Sequence, residues 1–504
     1  MLFRSINNCE FRNGRFMLMA VSYFIEARVT NSTFFGSDRD GCRLTGCQRV
    51  TVANNYFKDV NDDSIAVHTI DAEANPAKSD VVIAGNKIID SQGIAVLGGK
   101  HCSITGNVIT RPSTRGIWVG LSSGAGTEGN TSVVSVTVTG NVVTDLFKGS
   151  TFNPTSGDNG GYISVNGLIP QVVGGKFVDY GADALSPYPY FYDNSLALTD
   201  VRSGNYGSVI SGNVCMRTLE PGVAYSSYGY GSRRSRAGLV DPAITATSFD
   251  AGGAVALRNC ARNVVIANNH IQGIYGYAVN LESTNLTSVA PAWYNIKIQG
   301  NIIYDIQESA SILAVPIFIN GYGTVDIIGN TLDLDPYVVN SNRNGLGGTW
   351  TTVNNAPAIW TNGGAVTGQI KNNTFKNCGT LYLAGTFRGV WDSNVVYCDP
   401  YGSLATNKGV GDIKYQAHGI RYTIWDCDKT SATFNWLINE CQTASSALPT
   451  TGKYVAGAVV AKFNPTVVGT APNQYIVTGW MRLTTGSAHV LNTDWAEMRT
   501  LTGT

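Results

Sequence analysis

Asp40 and Asp63 stand 23 residues apart, and each precedes a small residue, Gly41 or Ser64, that opens the next run of the chain. Asp62 adjoins Asp63, Asp38 lies two residues before Asp40, and His68 closes the apolar run that Asp63 begins. A chain that winds with a period near 23 would stack these residues into one patch of four carboxylates and an imidazole. Like charges that close raise one carboxyl pKa, which is the acid/base split that glycosidic bond hydrolysis uses. Neighbours one turn apart would stand near the spacing of retaining enzymes, about 5 to 5.5 Å, and diagonal pairs could reach the inverting range of about 6.5 to 9.5 Å. Two other readings remain open. Asp before Gly or Ser is a good turn former, and clustered Asp is also the oxygen chemistry of a calcium site.

A second candidate set surrounds two long aromatic segments. Asp250 and Glu282, with Asp179, Asp183 and Asp193, lie close in sequence to Tyr188-Pro189-Tyr190-Phe191-Tyr192 and to Tyr225–Arg234. Alternation places Glu282 and Asn280 on one face of a strand. Tyr190, Tyr192, Tyr228, Tyr230, Arg233 and Arg234 offer the flat rings and fixed donors that suit sugar recognition, as do Trp118 and Tyr277 on neighbouring strands. Solvated loop charge explains the same acidic residues equally simply. No phosphate-binding Gly-rich loop, Ser-His-Asp order or HExxH pattern occurs, and no two of the five histidines are four apart. No cofactor or metal is expected.

A repeat must position these groups. The phrase apolar–any–Gly/Asn–Asn recurs with Asn at 55, 86, 107, 141, 213, 269, 301, 330, 373 and 394, and Cys9 and Ser32 occupy two earlier slots. The shortest intervals, 21 to 23 residues, set a base period, and insertions lengthen the others. Gly and Asn tolerate the positive φ of a sharp turn, and Asn at one slot in successive turns can stack its amides. A second strand follows at Ser64–Val67, Gly93–Val96, Gly116–Val119 and Gly276–Val279. No Leu ladder accompanies this period, so a leucine-rich repeat is excluded. The expected fold is all-β: a right-handed, single-stranded parallel β-helix of some twelve coils over residues 1–400. Large inserts are expected at about 145–207 and 217–255, a connector at 401–444, and a small C-terminal β module at 445–504, for trimerisation or carbohydrate binding.

The composition agrees. The 504 residues include 57 Gly and 44 Asn, with 35 basic and 35 acidic residues and no net charge. That neutrality argues against a nucleic-acid partner, and no apolar run is long enough for membrane insertion. Ten cysteines show no metal-ligand spacing and are expected as buried thiols, which suits folding in a reducing cytoplasm. Met1–Ser5 carries no signal-like apolar stretch, and the repeat begins almost at once, so an upstream segment is expected.

Two resemblances follow from these motifs. Asp38-Arg39-Asp40-Gly41 and Asn61-Asp62-Asp63-Ser64 resemble the Asn-Thr-Asp-Gly and Gly-Asp-Asp-Cys phrases of the polygalacturonase family. The resemblance implies catalytic roles for Asp40, Asp62 and Asp63. The family's later His-Gly and Arg-Ile-Lys phrases correspond to Gln92-Gly93 and Arg115-Gly116-Ile117. Asp38 and Arg115, beside these aspartates, are expected as substrate contacts. The repeat body with its ending, Gly479–Leu483 through Asp494–Arg499, resembles bacteriophage tailspike depolymerases of bacterial capsule, O-antigen or exopolysaccharide. That resemblance implies a homotrimer joined to a virion baseplate or anchor protein through an N-terminal segment. It would assemble in the host cytoplasm and act outside the cell from the virion tail.

Overall fold

The computed structural model describes residues 3–68, 80–97, 101–112, 115–120, 133, 135–146, 161–166, 171–173, 176–178, 205–218, 253–258, 261–274, 276–283, 293–306, 315–333, 357–362, 365–376, 380–383, 386–397, 422–425, 437–441, 444–445, 447–450, 456–457, 459–462, 465–486 and 488–501. Among these the secondary structure is β throughout. Each coil contributes one strand to each of three parallel sheets, as in Val50–Ala53, Tyr56–Val60 and Asp63–His68. The first sheet follows twelve strands from Phe3–Asn7 to Thr386–Asp392, and the third follows eleven from Met19–Ser22 to Thr380–Leu383. The body is a parallel β-helix.

The residue before each ladder position turns the chain. Asn54, Gly85, Gly106, Gly140, Gly212, Asn268, Gly300 and Gly329 all have φ between 54° and 66°, the left-handed region that Gly and Asn enter at least cost. The next residue, Asn in ten successive coils, points inward and is bound on all sides. Asn141 Oδ1 accepts from the Asn107 backbone N–H at 3.0 Å and from Asn107 Nδ2 at 2.9 Å. Its own Nδ2 donates to the Ile104 carbonyl at 2.9 Å and to Asn213 Oδ1 at 3.0 Å. Ser32 heads the ladder, its hydroxyl accepting from the Cys9 N–H at 3.1 Å. Val52, Phe57, Ile65, Ile83 and Ile94 fill the interior with no exposed surface, and Phe11, Phe34 and Phe57 stack one coil upon the next. Replacing Asn141 with Ala strands a buried N–H on Asn107 and a buried carbonyl on Ile104. At about 1 to 3 kcal/mol for each buried group left unsatisfied, the variant is expected to lose about 2 kcal/mol or more, read as a lowered melting temperature. Exposed Asn54→Gly, which keeps the turn, serves as the control.

Two boundaries and one cysteine differ from the sequence-based expectation. Gly161–Asn166, inside the first expected insert, is a strand of the third sheet between Arg115–Gly120 and Val255–Arg258. The Asn slot marks only the turn between the first two strands, so a third strand far from it is lost in the gap. Within the expected connector, Tyr422–Trp425 pairs in parallel with Asn394–Tyr397, and Leu437–Cys441 pairs antiparallel with it, so the second sheet continues past residue 400. Cys9 is exposed, whereas Cys42, Cys47, Cys102 and Cys215 are buried free thiols as expected. Residues 444–501 contain a separate, largely antiparallel five-stranded sheet with Val460, Trp480 and Trp495 at its core.

Candidate active site

The third sheet places the acidic residues at the start of its strands. Cys42 pairs with Ile65, so Asp40 falls beside Asp63, and the Gly41 N–H donates to the Asp63 carbonyl at 2.9 Å. Asp63 pairs in turn with Gln92, and Arg115 opens the following strand. Strict alternation would send Asp63 inward with Ile65 and Val67. The intervening position breaks that alternation because it also faces inward, in space too small for most side chains. A Cβ on Gly41 would lie 3.1 Å from the Phe57 ring, and one on Gly116 would lie 2.5 Å from both the Val143 side chain and the Tyr162 carbonyl. Gly41, Ser64, Gly93 and Gly116 fill these positions. The residue before each one, Asp40, Asp63, Gln92 or Arg115, is thereby carried out of the apolar core.

Asp40, Asp62 and Asp63 each bring a carboxylate oxygen within 4.8 Å of the others. Asp40 and Asp63 are buried and Asp62 is partly exposed. Asp63 is the most firmly held: Arg115 donates through Nε to Oδ1 at 3.0 Å and through Nη2 to Oδ2 at 3.1 Å, and Gln92 Nε2 donates to Oδ1 at 2.8 Å. Gln92 also reaches Asp62 at 3.3 Å. Arg39 stands 3.8 Å from Asp62, and Arg43 stands 3.7 Å from Asp40. Arg43 Nη2 also lies 3.2 Å from His68 Nδ1, which must accept because a guanidinium has only donors.

Burial, then the charges of Asp62 and Asp63, push the Asp40 carboxyl up to about 6, against the pull of Arg43. Burial and then the Asp63 charge also raise Asp62, opposed by Arg115 and Arg39. The patch therefore holds a carboxyl that is protonated in mildly acid solution beside others that face guanidinium groups. That is the separation of roles acid/base chemistry needs. The same three oxygens have the composition of a cation site, but each carboxylate already has an arginine next to it, and those arginines supply the balancing charge.

The structure brings together Asp40, Asp62, Asp63, His68 and Arg115. Asp38 is exposed, and among the described residues the cluster has three carboxylates rather than four. Trp118 lies under Arg115, whose guanidinium carbon is 4.5 Å from the ring centroid. Glu282 belongs elsewhere, on Tyr277–Glu282, ion-paired with buried Arg258, and Tyr277 stacks on Phe318 with centroids 4.3 Å apart. Asp250, Asp179, Asp183, Asp193, Tyr190, Tyr192, Tyr228, Tyr230, Arg233 and Arg234 lie outside the described residues. Arg39, Arg43 and Gln92 complete the patch and were not singled out from the sequence. The visible signal was the phrase any–small–apolar, repeated as Asp40-Gly41, Asp63-Ser64, Gln92-Gly93 and Arg115-Gly116. Phe16, 55 % exposed, adds an aromatic face beside Arg39.

Residues 4–153 match the family model described as "Right handed beta helix region", which gives the hand of the coil. No curated protein matches the chain. Among solved structures, the Agl-KA catalytic domain aligns with 12 % identity and a TM-score of 0.41, over 77 % of this chain and 62 % of that one. The chain thus spans less than two thirds of that structure's length. DFA-IIIase from Arthrobacter chlorophenolicus A6 aligns with 10 % identity and a TM-score of 0.33, over 79 % and 84 %. The Dettilon tailspike protein aligns with 11 % identity and a TM-score of 0.27, over 97 % and 72 %. Similarity at this level assigns no activity.

Proposed function

We propose that this chain is a tailspike-type depolymerase that binds and cleaves a bacterial surface polysaccharide by endo-acting glycoside hydrolysis. The observation that carries the reading is the Asp40–Asp62–Asp63 cluster, with one carboxyl raised to about 6 by burial and by its neighbours. Asp40 protonates the leaving oxygen. Asp62, the more exposed carboxylate, attacks the sugar or activates water. Asp63, clamped by Arg115 and Gln92, fixes the charge beside them. The tailspike part of the reading rests on the resemblance of the ending Gly479–Arg499. With it come a homotrimer, an anchor to the virion baseplate through an upstream segment, and action outside the host cell.

The test is incubation of purified protein with capsular, O-antigen and exopolysaccharide preparations, followed by analysis of the released oligosaccharides. New reducing ends without an unsaturated sugar support hydrolysis. An unsaturated product identifies a lyase, a second reading favoured by His68 and Arg43 standing together as base and uronate partner. Binding without cleavage identifies a non-catalytic receptor-binding fibre. The pH profile is a separate check. An acid titrating at about 6 is lost as pH rises, so kcat/KM is expected to fall about tenfold per pH unit above that value. A flat profile from pH 5 to 8 would remove Asp40 from the role.

A further inference from the structure

Between the second and third sheets the first three coils turn through corners of equal length. Gly14, Ser37 and Val60 pair in one row, and Met19, Cys42 and Ile65 pair in the next. The residues between these rows are Arg15–Leu18, Asp38–Gly41 and Asn61–Ser64. Phe16, Arg39 and Asp62 hold the same place in the three corners, so they form a column along the coil axis. The next coil is shorter, with only Gln92 and Gly93 between Ser91 and Ile94. Gln92 pairs with Asp63 and Ile94 with Ile65. Asn61 and Asp62 have no counterpart there, and the column ends at Asp62.

This column faces solvent. Phe16 is 55 % exposed, and the side chains of Arg39 and Asp62 are 46 % and 34 % exposed. It is also held in place. The Phe16 carbonyl accepts from the Arg39 N–H and from the Ser37 hydroxyl, each at 2.9 Å. The Arg39 guanidinium carbon lies 4.8 Å from the Phe16 ring centroid, and Arg39 Nε lies 3.8 Å from Asp62 Oδ2. An exposed ring fixed by its neighbours has little freedom left to lose on binding. Phenylalanine carries no hydrogen-bonding group, so it offers a flat apolar surface, which matches the C–H face of a sugar ring. The guanidinium beside it offers fixed donors to the oxygens at the edge of such a ring.

We infer that Phe16 and Arg39 form a saccharide subsite, in which a sugar ring stacks on Phe16 and Arg39 holds an oxygen of the polymer. Phe16 lies two coils, about 10 Å, from Asp62 along the axis. That is close to the span of two sugar rings, so the sugar on Phe16 is about two units from the bond at the carboxylates. The subsite deepens the proposed function, and its numbering from the cleaved bond rests on that reading.

Affinity electrophoresis tests the subsite without turnover. Asp40→Asn protein, which spares the polymer, is run through native gels cast with the capsular, O-antigen and exopolysaccharide preparations. Its retardation gives an affinity for each. Phe16→Ala in that background is expected to weaken the affinity about fivefold, the order of one aromatic contact, and Phe16→Trp is expected to restore it. Tyr23→Ala removes a 72 % exposed ring just past the other end of the strand Met19–Ser22 and is expected to change nothing. Circular dichroism checks that each variant is folded. Retardation by no preparation overturns the subsite, as does equal retardation with and without Phe16, or an equal loss in Tyr23→Ala. Retardation that depends on Phe16, in a protein that cleaves nothing, keeps the subsite and removes the hydrolase reading. Cleavage together with binding indifferent to Phe16 does the reverse, so the two fail separately.

Discussion

Asn in place of Asp40 is expected to lower the rate of polysaccharide cleavage by about two to four orders of magnitude, the usual worth of a positioned general acid, with saccharide binding retained. Asn preserves the shape of the side chain but cannot give up a proton to the leaving oxygen. Asp40 suits that role because burial and two neighbouring carboxylates hold its proton up to about 6. Stability should change in the opposite direction. A carboxyl raised from 3.8 to about 6 stabilises the fold while protonated, below about pH 4, and withdraws that contribution as pH rises through 6. Two units correspond to about 3 kcal/mol. Asp40→Asn should therefore melt higher than the unmodified protein at pH 7 and close to it at pH 4. Asp90, also raised to about 6, chiefly by burial, leaves a slope of the same sign and similar size in both proteins, so the difference between them isolates Asp40. A variant that cleaves normally removes Asp40 from the chemistry. One that melts lower at pH 7 shows that its charge is not the strained element of the patch.

The coil was legible in the sequence because one position per turn admits few residues. The slot before the ladder needs positive φ, and the ladder position needs an amide that both donates and accepts, so Gly-Asn and Asn-Asn recur in register. Asp40 and Asp63 could be placed in one column by counting from that slot. Arg39, Arg43 and Gln92 escaped notice. Arg39 and Arg43 lie one base period and three residues from their partners, but no arginine recurs at their positions. Gln92 reaches Asp63 at a separation of 29 set by an insert rather than by the repeat. Arg115 reaches Asp63 across 52 residues. Glu282 seemed free to act because alternation shows which face a residue takes. It does not show that buried Arg258 in the preceding coil already engages it. The strand Gly161–Asn166 was hidden for a related reason. Its Ser164 and Asn166 are polar at buried outward positions, which reads as loop until the neighbouring strands are seen.

Leu in place of Arg115 is expected to be the most damaging single change in the patch, costing about 3 to 5 kcal/mol at pH 7, the range for a buried charge stripped of its partner. Asp63 is 6 % exposed and takes both forks of the Arg115 guanidinium. Without them Gln92 remains as a neutral donor beside two further carboxylates. Trp118 also loses the cation that covers its ring. The pH dependence separates lost charge pairing from lost packing. An unpaired Asp63 is relieved when it is protonated, so the deficit of Arg115→Leu should shrink as pH falls from 7 to 4. A packing defect would stay constant across that range. The double variant Arg115→Leu with Asp63→Asn removes the stranded charge and should recover most of the loss at pH 7, giving a coupling energy well above the about 0.5 kcal/mol scatter of independent sites. Thermal or urea unfolding of the four proteins at the two pH values measures it. If the single Arg115 variant stays within about 1 kcal/mol of the unmodified protein at pH 7, Asp63 tolerates burial without its guanidinium. The acidic patch would then draw its balancing charge from Arg39 and Arg43.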